Sequence, residues 1–319
     1  MFPLDAIYGP FTYRRFDQDK MFKGGLKSTL QSSREVDADR PLAAGSYTEL
    51  VDIVSFLSIM NKRHTLYFRG QASNWPLRPT AFRPIWTSLS GTRHSIPNDP
   101  AVLQEIWDHL NGPISSIVLS ACDGLPMPRP ATLRMFREAV WAVAQHYELW
   151  PTPLIDITPS LRVAASFALW GGQPSGYLYV AALPPSTNSV TFDADQHVVL
   201  ARLQAVCPPV AKRPHYQDGF LVGRFPFMSP NPNQIDKDPA NVSDLARRLV
   251  ARIELADTDD EPGRLAGQPS GRGFWSSDFP RMSVASLLPA AENDQLLKAF
   301  SQNAGQIDDA MNPARRLPA

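Results

Sequence analysis

Of the 319 residues, 31 are proline, and that density limits what the chain can fold into more than any other feature. Proline fixes φ, lacks an N–H donor and breaks the interiors of helices and central strands. Spread along the chain in this way, it leaves room for short elements joined by many loops. A hydrophobic content of 43% still supplies a sizeable core. Short strands interspersed among helices, an α+β fold, is the expected class.

The element pattern follows from capping and periodicity. Ser46 and Glu49 have capping-box spacing, which predicts a helix from Ser46 to near Asn61. Residues 65–68 read as a strand, 72–84 as a proline-rich loop and 87–100 as a polar stretch. Helices are expected near 101–121 and 131–148. In the second of these, Leu133, Phe136, Val140, Val143 and Tyr147 recur at helical spacing. Residues 154–158 predict a strand. Pro159 and Ser160 open a helix through Trp170. Strands are expected at 176–183, 220–225 and 250–256, helices at 242–249 and 292–303, and a loop at 260–273. Residues 197–206 fit a helix or a strand.

Charge and cysteine usage exclude several classes. The net charge is +0, so no overall field draws the chain to nucleic acid or to a membrane. Two cysteines, Cys122 and Cys207, make no disulfide framework and no metal spacing. The histidines are scattered. Asp257, Asp259, Asp260 and Glu261 run into Pro262-Gly263 and read as a solvated charge run. No secretory signal and no apolar run long enough to span a membrane is expected, which predicts a cytoplasmic protein.

The first chemical signal is Leu66-Tyr67-Phe68-Arg69-Gly70-Gln71. An Arg is costly to bury without a partner. Gly admits an approach that a Cβ would block. An anion or nucleotide grip has this pattern, and so has a surface Arg before a turn. Downstream lie Gln145-His146-Tyr147, then Pro151-Thr152-Pro153-Leu154-Ile155-Asp156-Ile157-Thr158-Pro159-Ser160, then Val163 to Ala168, then Gln217-Asp218-Gly219-Phe220. With Trp75, Leu77, Pro79 and Arg83, these segments resemble the FRG domain, a family named for its Phe-Arg-Gly motif. The resemblance covers about residues 46–290, leaving 1–45 as an N-terminal extension and 291–319 as a C-terminal helix and tail.

The order of an Arg, a Thr-x-Ser before a helix and a late Gln motif is further similar to mono-ADP-ribosyltransferases. That resemblance implies an ADP-ribosyltransferase-like core of short strands with several flanking helices. It implies NAD as cosubstrate, no metal, and a nucleic-acid or protein acceptor. A bacterial toxin or anti-phage effector, met by a neutralising antitoxin protein, is the implied setting. The residues expected to hold NAD are Arg69, Gly70, Gln71, Tyr147, Thr158 and Ser160. Those expected to act in the chemistry are Arg69, His146, Asp156 and Gln217.

Arg suits bidentate phosphate recognition, and a helix N-terminus adds backbone donors. Gly70 would let its backbone face the nicotinamide amide. Trp75, Trp150 and Phe220 are candidates to stack a base. The pattern departs from the transferases at Gly219, where many of them place a Glu. Asp156 and Asp218 are candidate carboxylates, Asp218 on the strand face opposite Gln217, and His146 is a candidate base. Each residue also has a structural role open to it: Thr158 and Ser160 as turn and cap, Tyr147 as core, Asp156 as a strand anchor. A non-catalytic nucleotide-binding or scaffold module and an NAD glycohydrolase remain as alternatives.

Overall fold

The computed structural model describes residues 12–16, 28–32, 36, 38–83, 85–87, 93–95, 100–127, 130–224, 248–256, 273–305 and 307. Three short strands come first, β1 (Thr12–Phe16), β2 (Ser28–Ser32) and β3 (Leu42–Ala44). Helix α1 (Tyr47–Met60) follows, and its Ser46 Oγ accepts from Glu49 N at 3.1 Å. Glu49 Oε2 in turn accepts from Gly45 N at 2.9 Å, one residue ahead of the usual capping-box donor. Strand β4 (Thr65–Gln71) carries the Arg-Gly motif within it rather than ending before it. A small hairpin, β5 (Ile85–Thr87) and β6 (Arg93–Ser95), occupies part of the stretch expected to be irregular.

The helix expected near 101–121 is divided. Between α2 (Pro100–His109) and α3 (Ser115–Asp123), the residues Leu110–Ile114 form a π-helical turn containing Pro113. Proline has no N–H for the i−4 carbonyl, and a widened turn accommodates it. The helix expected at 131–148 is also two, α4 (Pro130–Met135) and α5 (Arg137–His146), separated by Phe136 in an extended conformation. Then come β7 (Leu154–Ile157), α6 (Leu161–Ala168), β8 (Ser175–Leu183) and β9 (Val190–Asp193). The ambiguous stretch is both things in turn: strand β10 (Val198–Arg202) runs into a short helix α7 (Leu203–Val206). Helix α8 (Lys212–Tyr216), β11 (Phe220–Arg224), β12 (Leu249–Ala256), α9 (Val284–Leu287) and α10 (Gln295–Gln302) complete the order. Most of the helix expected at 242–249 and the loop at 260–273 lie outside the described residues, and Leu249 is already strand.

The fold is mixed α+β and divides into two compact units. One draws on Met1–Pro76, Thr158–Pro185 and Leu245–Ser283, the other on Leu77–Ile157, Ser186–Asp244 and Val284–Ala319. The first contains a four-stranded sheet ordered β3-β12-β8-β4, antiparallel except for the β3–β12 pair. Leu50, Ile53 and Leu57 of α1 and Ala164, Ala165 and Ala168 of α6 form one core with Leu66, Phe68, Leu178 and Val180 of this sheet. The second unit contains an antiparallel sheet ordered β7-β11-β10-β9. Its core joins Trp141, Val143 and Tyr147 to Leu154, Val199, Leu221 and the C-terminal Leu296 and Phe300. Cys122 and Cys207 are buried there as free thiols. Burial pushes the Cys122 thiol up to about 12 and raises Cys207 as well, which keeps both protonated and unreactive.

Candidate functional site

Strand alternation sorts the Arg-Gly motif onto two faces of β4. Phe68 and Gly70 face α6, while Arg69 and Gln71 face the other way. A Cβ placed on Gly70 would lie 1.9 Å from the Ala164 carbonyl oxygen, and one on Gly176 would lie 2.1 Å from that of Ala168. The two glycines let the α6 backbone rest on β4 and β8. The space at Gly70 is thus filled by α6 instead of being left for a nicotinamide. On the opposite face, half-buried Arg69 donates from Nε to Gln71 Oε1 at 3.5 Å. Gln71 Nε2 donates to the Trp75 carbonyl at 2.8 Å, and the Tyr179 hydroxyl reaches the same carbonyl at 2.8 Å. These bonds fold the 72–76 loop back on the strands and leave Trp75 61% exposed.

The Thr-x-Ser motif meets the Arg-Gly motif directly. Phe68 N donates to Thr158 O at 2.8 Å, and Thr158 N to Phe68 O at 2.9 Å. Thr158 Oγ1 then accepts from Ser160 N at 3.0 Å, and Ser160 Oγ caps α6 by accepting from Val163 N at 3.4 Å. Thr158 is buried and Ser160 half-buried. Both hydroxyls therefore have a structural function as acceptors in the turn that starts the helix.

The second unit gathers a different set. His146 ends α5 and is buried, and its Nδ1 lies 2.8 Å from Asp156 Oδ1 on β7. Gln145 Nε2 donates to Asp156 Oδ2 at 3.3 Å. The Gln145 Oε1 accepts from Thr80 Oγ1 at 2.5 Å and from Thr152 Oγ1 at 2.7 Å. The Asp156 side chain is 30% exposed and that of His146 1%, so the carboxylate is the solvent-facing end of the pair. Burial lowers the His146 pKa, Arg213 adds to the shift, and Asp156 and Glu148 oppose it. A neutral imidazole beside a carboxylate carries its proton on Nδ1, and Nε2 is buried with no hydrogen-bond partner among the described residues. Glu148, in the left-handed region at φ 56, pairs with Arg213 at 2.8 Å.

Gln217 occupies a different setting from the expected strand. It caps the C-terminus of α8, is buried, and donates from Nε2 to Leu287 O at 2.7 Å. Asp218 follows at φ 45 and accepts from Gln204 Nε2 at 2.9 Å. The expected alternation of Gln217 and Asp218 along a strand is overturned, because the turn out of α8 takes their place. A Cβ on Gly219 would meet Leu203 Cδ1 at 2.8 Å and His146 Cε1 at 3.3 Å. A side chain at this position would press on the Leu203 and His146 side chains.

Tyr147 is core. Its hydroxyl donates to Asp294, at 3.0 Å from Oδ2, and its ring packs edge-on to Phe300. Burial raises its pKa. Trp150 and Phe220 are buried too, and Trp150 Nε1 donates to Ile106 O at 2.9 Å. Of the three candidate stacking aromatics, Trp75 alone is exposed. The sequence placed Gln145 at a helix end and Thr152 in the Pro151–Ser160 segment, but gave no sign that Thr80 and Thr152 meet at Gln145. Their nearest signal is that each follows a proline in a loop.

Among the described residues no group of three or more His, Cys, Asp or Glu is placed to hold a metal, and no helix is long and apolar enough to cross a membrane. Residues 64–175 match the model of the FRG domain. That span carries Arg69, Gly70, Gln145, His146, Asp156, Thr158 and Ser160, and ends before Gln217. No curated protein and no solved structure matches the chain.

Proposed function

We propose that this protein is an NAD-dependent ADP-ribosyltransferase, acting as a bacterial toxin or anti-phage effector on a nucleic-acid or protein acceptor. The observation that carries this reading is the Phe68–Thr158 pairing, which sets the Arg69-Gly70 and Thr158-x-Ser160 motifs beside each other. Arg69 is assigned to the NAD pyrophosphate, as a fork-shaped donor suited to phosphate. In the reaction the C1′–N bond to nicotinamide breaks and nicotinamide leaves with the electron pair. The acceptor then bonds to C1′ and loses its proton. The ribose passes through an oxocarbenium-like state that a fixed carboxylate stabilises. Asp156 is assigned that role: it is part-exposed and held by two side-chain donors, whereas Gln217 is committed to Leu287.

A second reading, a nucleotide-binding module without turnover, is favoured by the glycine at 219, where a side chain would press on Leu203 and His146. Nicotinamide release from labelled NAD separates the two. Release by the wild-type protein is expected to rise with one acceptor class among RNA, DNA and protein. Asp156→Asn is expected to lose roughly a hundredfold in turnover. Arg69→Ala is expected to raise KM for NAD at least about tenfold. Release that no acceptor changes indicates a glycohydrolase. NAD binding without release establishes the second reading.

A further inference from the structure

Gln145 stands at the centre of a set of hydrogen bonds that converge on the Asp156 carboxylate. Leu154 N donates to Thr152 Oγ1 at 3.2 Å, so the Thr152 proton is turned toward Gln145 Oε1. Thr80, brought to the same place by the Ala81 N to Thr152 O bond at 3.1 Å, donates to that oxygen as well. With two donors on Oε1, the Gln145 amide has one orientation, NH2 toward the Asp156 carboxylate. The flipped amide would set its oxygen against a carboxylate oxygen. Asp156 Oδ1 in turn accepts from His146 Nδ1, so two donors meet on one carboxylate. The bonds aligned through Thr152 and Gln145 polarise one another toward the carboxylate and fix it against His146.

We propose that Gln145 is a positioning residue that, oriented by Thr80 and Thr152, locks the Asp156 carboxylate in place and holds His146 in its Nδ1–H tautomer. Its effect on turnover rests on the function proposed above; its effect on His146 does not. A residue that only filled space would leave both the tautomer and the KM-against-kcat balance unchanged.

The test uses the full chain with ¹⁵N-labelled histidine, His146 being assigned by its loss in His146→Gln. The wild-type protein is expected to show the Nδ1–H tautomer, and Gln145→Leu a mixture of tautomers. In the NAD assay Gln145→Leu is expected to lower kcat about ten- to hundredfold with KM little changed, as loss of a supporting hydrogen bond does. Thr80→Val, which removes one donor and keeps the shape of the side chain, is expected to move both readouts the same way by less. Thr80→Ser is expected to restore them. If Gln145→Leu does not fold, the Thr80 pair decides. An Nε2–H tautomer in the wild type, or tautomer and kcat unchanged in the variants that fold, overturns the proposal. A wild type that turns over no NAD sinks the function reading alone, and the nitrogen shifts still decide the role of Gln145.

Discussion

The Thr158-x-Ser160 segment of the first unit and the Gln145-His146 segment of the second both stand where a helix meets a strand, yet they are held by different forces. In the first unit the backbone does the holding: a two-bond bridge to Phe68, two hydroxyl acceptors in a turn, and a helix resting on Gly70 and Gly176. In the second unit side chains do it, through Thr80, Thr152, Gln145, Asp156 and His146. Backbone-held sites resist polar substitution and fail when a Cβ is added. Side-chain networks tolerate small changes of volume and fail when one donor is lost.

The sharpest way to break that contrast is Gly70→Val. Its Cβ would overlap the Ala164 carbonyl, a backbone atom that cannot swing aside. Overpacking of this kind is expected to cost about 3 kcal/mol or more in chemical denaturation. Gly112→Ala, where nothing lies within 4 Å of the added carbon, is the matched control and is expected to change stability little. Equal losses in the two variants would show that α6 can lift from the sheet, and that Gly70 is not held there by packing.

The same contrast explains what could be read from the sequence. Caps, turns and glycines are local codes, so Ser46, Thr158 and Ser160 and the elements they start were legible from neighbouring residues. The strands flanking Arg69 and Gly219 were legible as apolar runs. The Asp156 clamp was not, because Thr80, Gln145 and Thr152 meet only after the 77–83 loop docks on the 151–153 backbone. Gln217 misled for the opposite reason. Its motif fitted a strand template, but Asp218 in the left-handed region turns the chain out of α8 first. Pro113 and Phe136 divided two helices whose hydrophobic spacing runs on through the break, so periodicity did not reveal the interruption.

A smaller effect sharpens the comparison through pH. Burial lowers the His146 pKa, with Arg213 adding to the shift and Asp156 and Glu148 opposing it. Below the ordinary value of about 6.5 the unfolded chain takes up a proton that the folded chain refuses, so stability falls as pH falls through that range. One such proton gives a slope of at most about 1.4 kcal/mol per pH unit. Denaturation midpoints across this range are expected to flatten in His146→Gln and to keep the wild-type slope in Ser160→Ala, whose motif holds no group that titrates there. Equal slopes in all three proteins would mean that His146 accepts its proton in the folded state, and that the second network is less enclosed than its burial indicates.

The smallest change separates a cap from a grip. Ser160 and Ser46 are both N-cap serines of the first unit, Ser160 Oγ accepting from Val163 N and Ser46 Oγ from Glu49 N. Loss of either cap is expected to cost about 1 kcal/mol, so Ser46→Ala and Ser160→Ala should match in stability. They differ in surroundings, because Ser160 follows Thr158 at the strand that carries Arg69. A phosphate bound there, as the proposed function has it, would accept from the Ser160 hydroxyl while the oxygen still caps the helix, since a hydroxyl donates and accepts at once. KM for NAD is therefore expected to rise severalfold in Ser160→Ala and to stay at the wild-type value in Ser46→Ala. Unchanged KM in both variants, with matched stabilities, would leave Ser160 as a cap with no part in the proposed NAD grip.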